Sequence, residues 1–200
     1  MQSQHLCEMK NKSIILFSVL FIATAFVELS AQQPSEQEVS LNPNIGKDSS
    51  KKSIKSMAIA VVKGDSIKIN YHSPGVRKRI IWGGLVPYDE VWVTGAHTAT
   101  TLTLNEDYMI NGTLVTAGKY AFFSIPGSTE WTLIINKNWA QHLATDYNER
   151  EDVVRIKVVP QQNDYLERLQ YFIEPAEKNM IEISVAWEKL KVSFDMMPAL

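Results

Sequence analysis

Residues 181–196 read IEISVAWEKLKVSFDM, and their apolar side chains recur at every second position. Ile181, Ile183, Val185 and Trp187 alternate with Glu182, Ser184 and Glu188, and then Leu190, Val192, Phe194 and Met196 alternate with Lys191, Ser193 and Asp195. A period of two sends one row of side chains into a core and the other into water, as strands of antiparallel sheets require. This stretch predicts two successive strands.

The same period extends upstream. Ile67, Ile69 and Tyr71 oppose Ser66, Lys68 and Asn70, and Gly64-Asp65 joins that strand to Met57–Val62. Leu102 and Leu104 alternate with Thr101 and Thr103, after which Asn111-Gly112 links Tyr108 and Ile110 to Leu114 through a hairpin turn that needs positive φ. Further strands are read at 120–125, 131–136, 153–159 and 169–173, with turn residues between them at the spacing of a sandwich or barrel. Only Asn138 to Thr145 hints at a helix. The expected fold is an all-β, antiparallel β-sandwich with one short helix, and a jelly-roll-like winding is compatible with the spacing.

The first 31 residues carry a different signal: Lys10 and Lys12 precede the apolar run Ile14–Phe26, and Ser30-Ala31 leads into the polar Gln32-Gln33-Pro34. That order reads as a secretory signal peptide over 1–31, cleaved after Ala31. The run is shorter than the about 20 apolar residues of a spanning helix, so no stable membrane span is expected. Residues 32–55, rich in Gln, Ser, Asn, Lys and Pro, read as a flexible linker, and 56–198 as one domain. The chain's one cysteine, Cys7, precedes the apolar run and is neither a lipidation site after a cleaved signal nor a disulfide partner. A domain of this size buries about two thirds of its unfolded surface and needs no staple. Export to the periplasm or the cell surface follows as the expected localisation.

A formal net charge of −2 is unchanged when Glu8, Lys10, Lys12 and Glu28 are removed with the signal. Such a balance argues against a nucleic-acid partner. P-loop, GxGxxG, GxSxG and CxxC motifs are all missing, so no cofactor and no recognised catalytic set is implied.

Functional chemistry concentrates between Tyr71 and Thr101, YHSPGVRKRIIWGGLVPYDEVWVTGAHTATT. His72 precedes Ser73-Pro74, while His97 follows Gly95-Ala96 and adjoins Thr98; a third histidine, His142, lies near Asp146. Loops on a rigid sheet are where binding groups usually sit, which makes His72, His97, Thr98 and His142 candidate ligand contacts. Three imidazoles with one open position suit zinc, but no ligand spacing such as HxH or HExxH supports a metal site here. Arg77-Lys78-Arg79 beside Pro74-Gly75 suits a carboxylate, sulfate or phosphate, with Arg77 and Arg79 as the candidates. Trp82, Tyr88 and Trp92 offer a stacking platform for a sugar or an aliphatic chain, against core packing for at least two of them. The carboxylates Asp89, Glu90, Glu149, Glu151 and Asp152 suit glycoside hydrolysis only if a pair lies about 5 to 9 Å apart, and solvated loops explain them more cheaply, since neighbouring acids along a strand point to opposite faces.

Several of these segments together resemble the bacterial family of unknown function DUF2911, over about residues 57 to 197. The resemblance rests on Tyr71 with Pro74, Arg79 before Trp82-Gly83-Gly84-Leu85-Val86-Pro87-Tyr88, and Val91-Trp92 leading to Thr94-Gly95-Ala96. It continues through Ala99-Thr100-Thr101, Asn111-Gly112, Ala117-Gly118-Lys119-Tyr120, Ile125-Pro126, Trp131 with Asn136-Lys137, and Trp187-Glu188. It implies an exported protein of Bacteroidetes-like bacteria and no particular chemistry. Two positions depart from the pattern: Val93 stands where many relatives carry Arg after the tryptophan, and His97 where they carry Asn after Gly-Ala.

Two functions are therefore expected as alternatives. One is an exported cell-envelope module that is structural or binds a small molecule, glycan or peptide on the 71–101 loops and the 136–152 segment. The other is a hydrolase or metal-dependent enzyme using His72, His97 and His142 with Asp146 or Asp89.

Overall fold

The computed structural model describes residues 50–62 and 64–199, so the expected signal peptide and most of the expected linker lie outside the described residues. Ten strands follow in chain order: β1 (Ser53–Val62), β2 (Asp65–Pro74), β3 (Thr100–Leu104), β4 (Tyr108–Ile110), β5 (Thr113–Val115), β6 (Gly118–Ile125), β7 (Trp131–Asn136), β8 (Asp152–Val158), β9 (Gln161–Pro175) and β10 (Ile181–Pro198). They form two antiparallel sheets, one ordered β1-β2-β3-β6-β7-β8 and the other β5-β4-β10-β9. The all-β sandwich is what the alternating pattern predicts. Its winding is not that of a jelly roll: the larger sheet is a meander of chain neighbours, interrupted once where the β4–β5 hairpin is given to the other sheet. β1 also begins at Ser53, so its first residues come from the segment whose composition reads as linker.

The core lies between the sheets. Ile67, Ile69, Leu102, Leu104, Leu133 and Ile135 from the larger sheet share one buried cluster with Tyr108, Ile110, Ile183, Val185 and Phe194 from the smaller one. The Asn111-Gly112 hairpin forms as its sequence demands, with φ of 48° and 77° at the two turn residues and Ile110 opposite Thr113.

Two strands expected at 181–187 and 190–196 are one strand. The register of β10 against β9 shifts on both sides of Glu188, whose φ is 55°. This irregularity lets the odd-numbered row ending at Trp187 and the even-numbered row of Val192, Phe194 and Met196 reach the same core. β9 likewise exceeds the expected 169–173, because its polar first residues Gln161 and Gln162 pair with Lys191 and Leu190.

The expected helix at 138–145 is absent. That segment is a series of turns with Leu143 at φ 51°, and the short 3-10 turns fall instead at Glu149–Glu151 and Glu177–Asn179. The Asn136 side chain dictates the loop path: its Nδ2 donates to Asn148 O (3.0 Å) and Asp152 Oδ1 (2.7 Å), while its Oδ1 accepts from Asn138 N (2.8 Å). Both ends of the loop are thus tied to one buried amide, and no residue run remains free to build a regular helix.

Two long connections, 75–99 and 137–151, bear on function because parts of both close over the outer face of the larger sheet. There Val93, Ala99, Ala121, Phe123 and Ile134 form a second buried cluster, against which Ala144 and Tyr147 pack. Every residue of β7 is consequently buried, with Leu133 and Ile135 facing one cluster and Ile134 the other. A strand covered on both faces reads as a continuous apolar run, which is what Leu133-Ile134-Ile135 is.

Candidate functional site

The 75–99 connection begins with a tight turn in which Arg79 N donates to Val76 O (3.0 Å) and Arg77 and Lys78 both take left-handed φ, 51° and 58°. Arg79 turns back on the loop, its Nε donating to Val76 O (3.1 Å) and its Nη2 to Gly75 O (2.6 Å). Nε and Nη2 of its guanidinium are thus each bonded to a carbonyl of its own loop. Arg77 Nη1 donates to Ser50 O (3.2 Å), and its backbone N–H to Glu167 Oε1 (2.9 Å). The basic triplet builds a turn, with Arg79 also at the edge of the smaller cavity described below.

A second turn, Ile80 to Val86, is closed by Leu85 N to Ile80 O (3.0 Å) and Val86 N to Ile81 O (2.9 Å). Gly84 is required there, since a Cβ would lie 2.6 Å from Ile80 O. The turn delivers Trp82 into a cluster of four indoles. Trp82 meets Trp131, Trp92 and Trp187 edge to face at centroid distances of 4.8, 5.9 and 5.9 Å, and Trp92 stacks on Trp187 at 5.9 Å. The indole N–H of Trp92 donates to Gly95 O (3.1 Å). Those of Trp82, Trp131 and Trp187 have no conventional acceptor, which fits rings whose edges abut neighbouring ring faces. Of the expected platform, Trp82 and Trp92 pack against the core, while Tyr88 remains exposed.

Beyond Trp92 the loop crosses the sheet on a buried polar chain: Thr94 Oγ1 donates to Ser124 Oγ (2.8 Å), and Tyr171 Oη to Thr94 O (2.9 Å). Complete burial of Tyr171 drives its phenol well above the ordinary tyrosine value, so the hydroxyl stays a donor. Gly95 follows in a space too narrow for a side chain, since a Cβ would sit 2.8 Å from Thr100 Oγ1 and 3.1 Å from His72 O. The backbone then turns at His97, with φ 63°.

Here the three histidines come together. The His72 and His97 rings meet edge to face with centroids 5.1 Å apart, and Thr98 Oγ1 lies 3.3 Å from His72 Nδ1. A short backbone ladder brings the 137–147 turns alongside: Leu143 N donates to His97 O (2.6 Å), Ala99 N to Gln141 O (3.0 Å), and Thr98 pairs with His142. Two cavities flank this junction. The larger, about 590 Å³, is lined by His72, Thr98 and His142 together with Lys55, Lys119 and Trp139. The smaller, about 280 Å³, is lined by His97, Arg79 and Trp92 with Val93, Leu143 and Trp187. Among the described residues no group of three or more His, Cys, Asp or Glu is arranged to hold a metal ion. The histidines are neighbours at the junction of the two cavities.

Of the carboxylates, Asp146 lines the larger cavity, whereas Asp152 accepts from Tyr147 Oη (2.7 Å) and pairs with Arg155 (2.7 Å), which also reaches Glu149 (3.1 Å). Asp89 and Glu90 are exposed on the 75–99 connection and line neither cavity. Sequence reasoning did not single out Lys119, whose Nζ lies 3.7 Å over the Trp139 ring, or Gln141, whose buried Oε1 has no donor. The tryptophan of the polar run Lys137-Asn138-Trp139 was the available signal beside the first of these.

Burial, with the His97 imidazole and the Lys55 ammonium nearby, pushes the His72 imidazole below the ordinary histidine value of 6.5. Near neutral pH, His72 is therefore an uncharged hydrogen-bonding group. Between its lowered folded value and 6.5 the unfolded chain binds more protons at this residue than the folded chain does. The resulting stability is fully present above 6.5 and is lost as pH falls through that window. Melting temperatures at about pH 7.5 and about pH 5 are expected to differ more for the native protein than for His72→Asn, the difference between the two slopes being the histidine's share.

The family model described as protein of unknown function (DUF2911) matches residues 50–196, and the chain belongs to that family. No curated protein and no solved structure matches it.

Proposed function

We propose that this DUF2911 chain is an exported envelope module that binds a small polar ligand in the groove where its histidines meet. One observation carries the reading: His72, His97 and His142, far apart in sequence, border two adjoining cavities formed between strand residues of the larger sheet and the loops packed on it. The larger cavity falls within the range of about 300–1,000 Å³ common to small-molecule sites. Its lining mixes an exposed indole with hydroxyls, amides and a few charges, a composition suited to orienting a ligand. Binding is favoured over glycoside hydrolysis because the one carboxylate in that lining, Asp146, has no second carboxylate beside it in the wall to share acid and base roles. Export rests on the residue order of the first 31 positions.

The test is a titration of the imidazole and backbone resonances with a panel of envelope glycans, short peptides and small anions. Signals of His72, Thr98 and His142 are expected to move together with at least one compound. A panel that leaves all three unmoved removes the reading.

A further inference from the structure

We infer that the smaller cavity is a second site, built for a small carboxylate with an apolar body; it stands independently of the ligand read for the larger one. Its floor is apolar, with Val86, Val93 and Trp187 all buried. Leu85 and Leu143, one from each long connection, line the same cavity yet are 45% and 43% exposed. Two leucines left in water around an apolar floor form a continuous surface that a ligand body would cover.

The polar part of the lining is cationic. Arg79 and Lys52 belong to it, and no aspartate or glutamate does. A guanidinium has five N–H donors, of which Arg79 spends one on Nε and one on Nη2, towards Val76 O and Gly75 O. Nη1 keeps both of its own among the described residues. The two carbonyl bonds also fix the plane of the fork, so a carboxylate meets a cation that has already lost its rotamer freedom. Glu167, the acid bonded to that turn, does not compete: it accepts from Arg77 N (2.9 Å) and Tyr165 Oη (2.6 Å) and does not line the cavity.

Size and chemistry narrow the ligand. A volume of about 280 Å³ holds roughly nine waters, or a molecule on the order of ten non-hydrogen atoms. Inorganic phosphate would leave the apolar floor uncovered, and a neutral hydrocarbon would strip water from the Arg79 guanidinium without replacing it. An apolar body with one carboxylate satisfies both ends.

Four probes decide the matter: phenylacetate; 2-phenylethanol, which keeps the body and loses the charge; 2-phenylethylamine, which reverses the charge; and acetate, which loses the body. Binding is followed by tryptophan fluorescence and by the methyl resonances of Val93 and Leu143. Phenylacetate is expected to bind at least about tenfold more tightly than each of the others, the worth of one charge-assisted contact or of the buried ring. It should move Val93 and Leu143 and leave Thr98 and His142, which belong to the larger cavity, in place. Arg79→Gln should lower its affinity to that of 2-phenylethanol. Because Arg79 also ties its own turn, Leu143→Asp supplies a check that spares it. Position 143 is exposed with φ 51°, a conformation that aspartate tolerates, so the melting temperature should stay nearly unchanged. The new carboxylate should weaken phenylacetate roughly fivefold without weakening 2-phenylethylamine. Equal affinity for phenylacetate and either 2-phenylethanol or acetate overturns the inference. So does phenylacetate binding that ignores Leu143→Asp, or that shifts Thr98 and His142 but neither Val93 nor Leu143. A protein silent towards phenylacetate overturns it as well, while the reading of the larger cavity stands or falls on its own reporters.

Discussion

Trp187→Ala is expected to cost about 3–5 kcal/mol of stability, read as a lower urea midpoint at unchanged slope. Trp187 is only 1% exposed and stacks on Trp92 with an interplanar angle of 22° while meeting Trp82 nearly at right angles. It also stands immediately before the register shift at Glu188, where β10 redirects its apolar row. Truncation opens a void among rings that are themselves held by Trp131 and by the Trp92 bond to Gly95 O, so the site cannot collapse to fill it. The void would adjoin the smaller cavity, which Trp187 lines. Trp187→Phe retains an aromatic body and should cost appreciably less. A loss below about 1 kcal/mol for the alanine variant would show that the indole cluster does not anchor the core.

The pairing of Trp187 with Trp139 illustrates what the sequence makes legible. Alternation over 181–187 places Trp187 in a core, because a strand leaves its odd-numbered row one destination. Trp139 sits in a segment with no period, and nothing local states that Lys119, some twenty residues earlier on another strand, lies over its ring. The same division holds throughout. Leu133-Ile134-Ile135 announces a strand covered on both faces, but what covers it becomes visible only when the two loops are seen across it. His72, His97 and His142 can each be nominated from turn chemistry. Their junction depends on Thr98 pairing with His142 and on a ring contact between β2 and a loop, both long-range. The Arg77-Lys78-Arg79 triplet is legible as charge density beside a turn, but that Arg79 Nε and Nη2 reach back to Val76 O and Gly75 O is visible only in the fold.

Phe123→Ala is expected to remove binding at the proposed groove although Phe123 itself lines neither cavity. Phe123 is fully buried on the outer face of β6, among Val93, Ala99, Ala121 and Ile134, with the Tyr147 ring 5.4 Å away. Of those neighbours Val93 and Ala99 belong to the connection that carries His97 and Thr98, and Tyr147 to the one that carries Trp139, Gln141 and His142. Losing the ring removes the apolar surface on which both connections rest, at a cost of about 3–5 kcal/mol. That loss should fall unevenly: amide exchange at 94–99 and 137–147 should rise towards that of open loops, while β9 and β10, which contribute to the other cluster, stay protected. Binding at the proposed groove should fall because the histidines and the 137–147 turns no longer hold one arrangement, so a ligand must supply the ordering that packing supplied before. Phe123→Leu, which keeps most of the volume, should retain both protection and binding. If Phe123→Ala leaves the 137–147 amides as protected as in the native protein, the loops are held by the Asn136 and Ala99–Gln141 hydrogen bonds alone, and the second cluster is not the floor of the site.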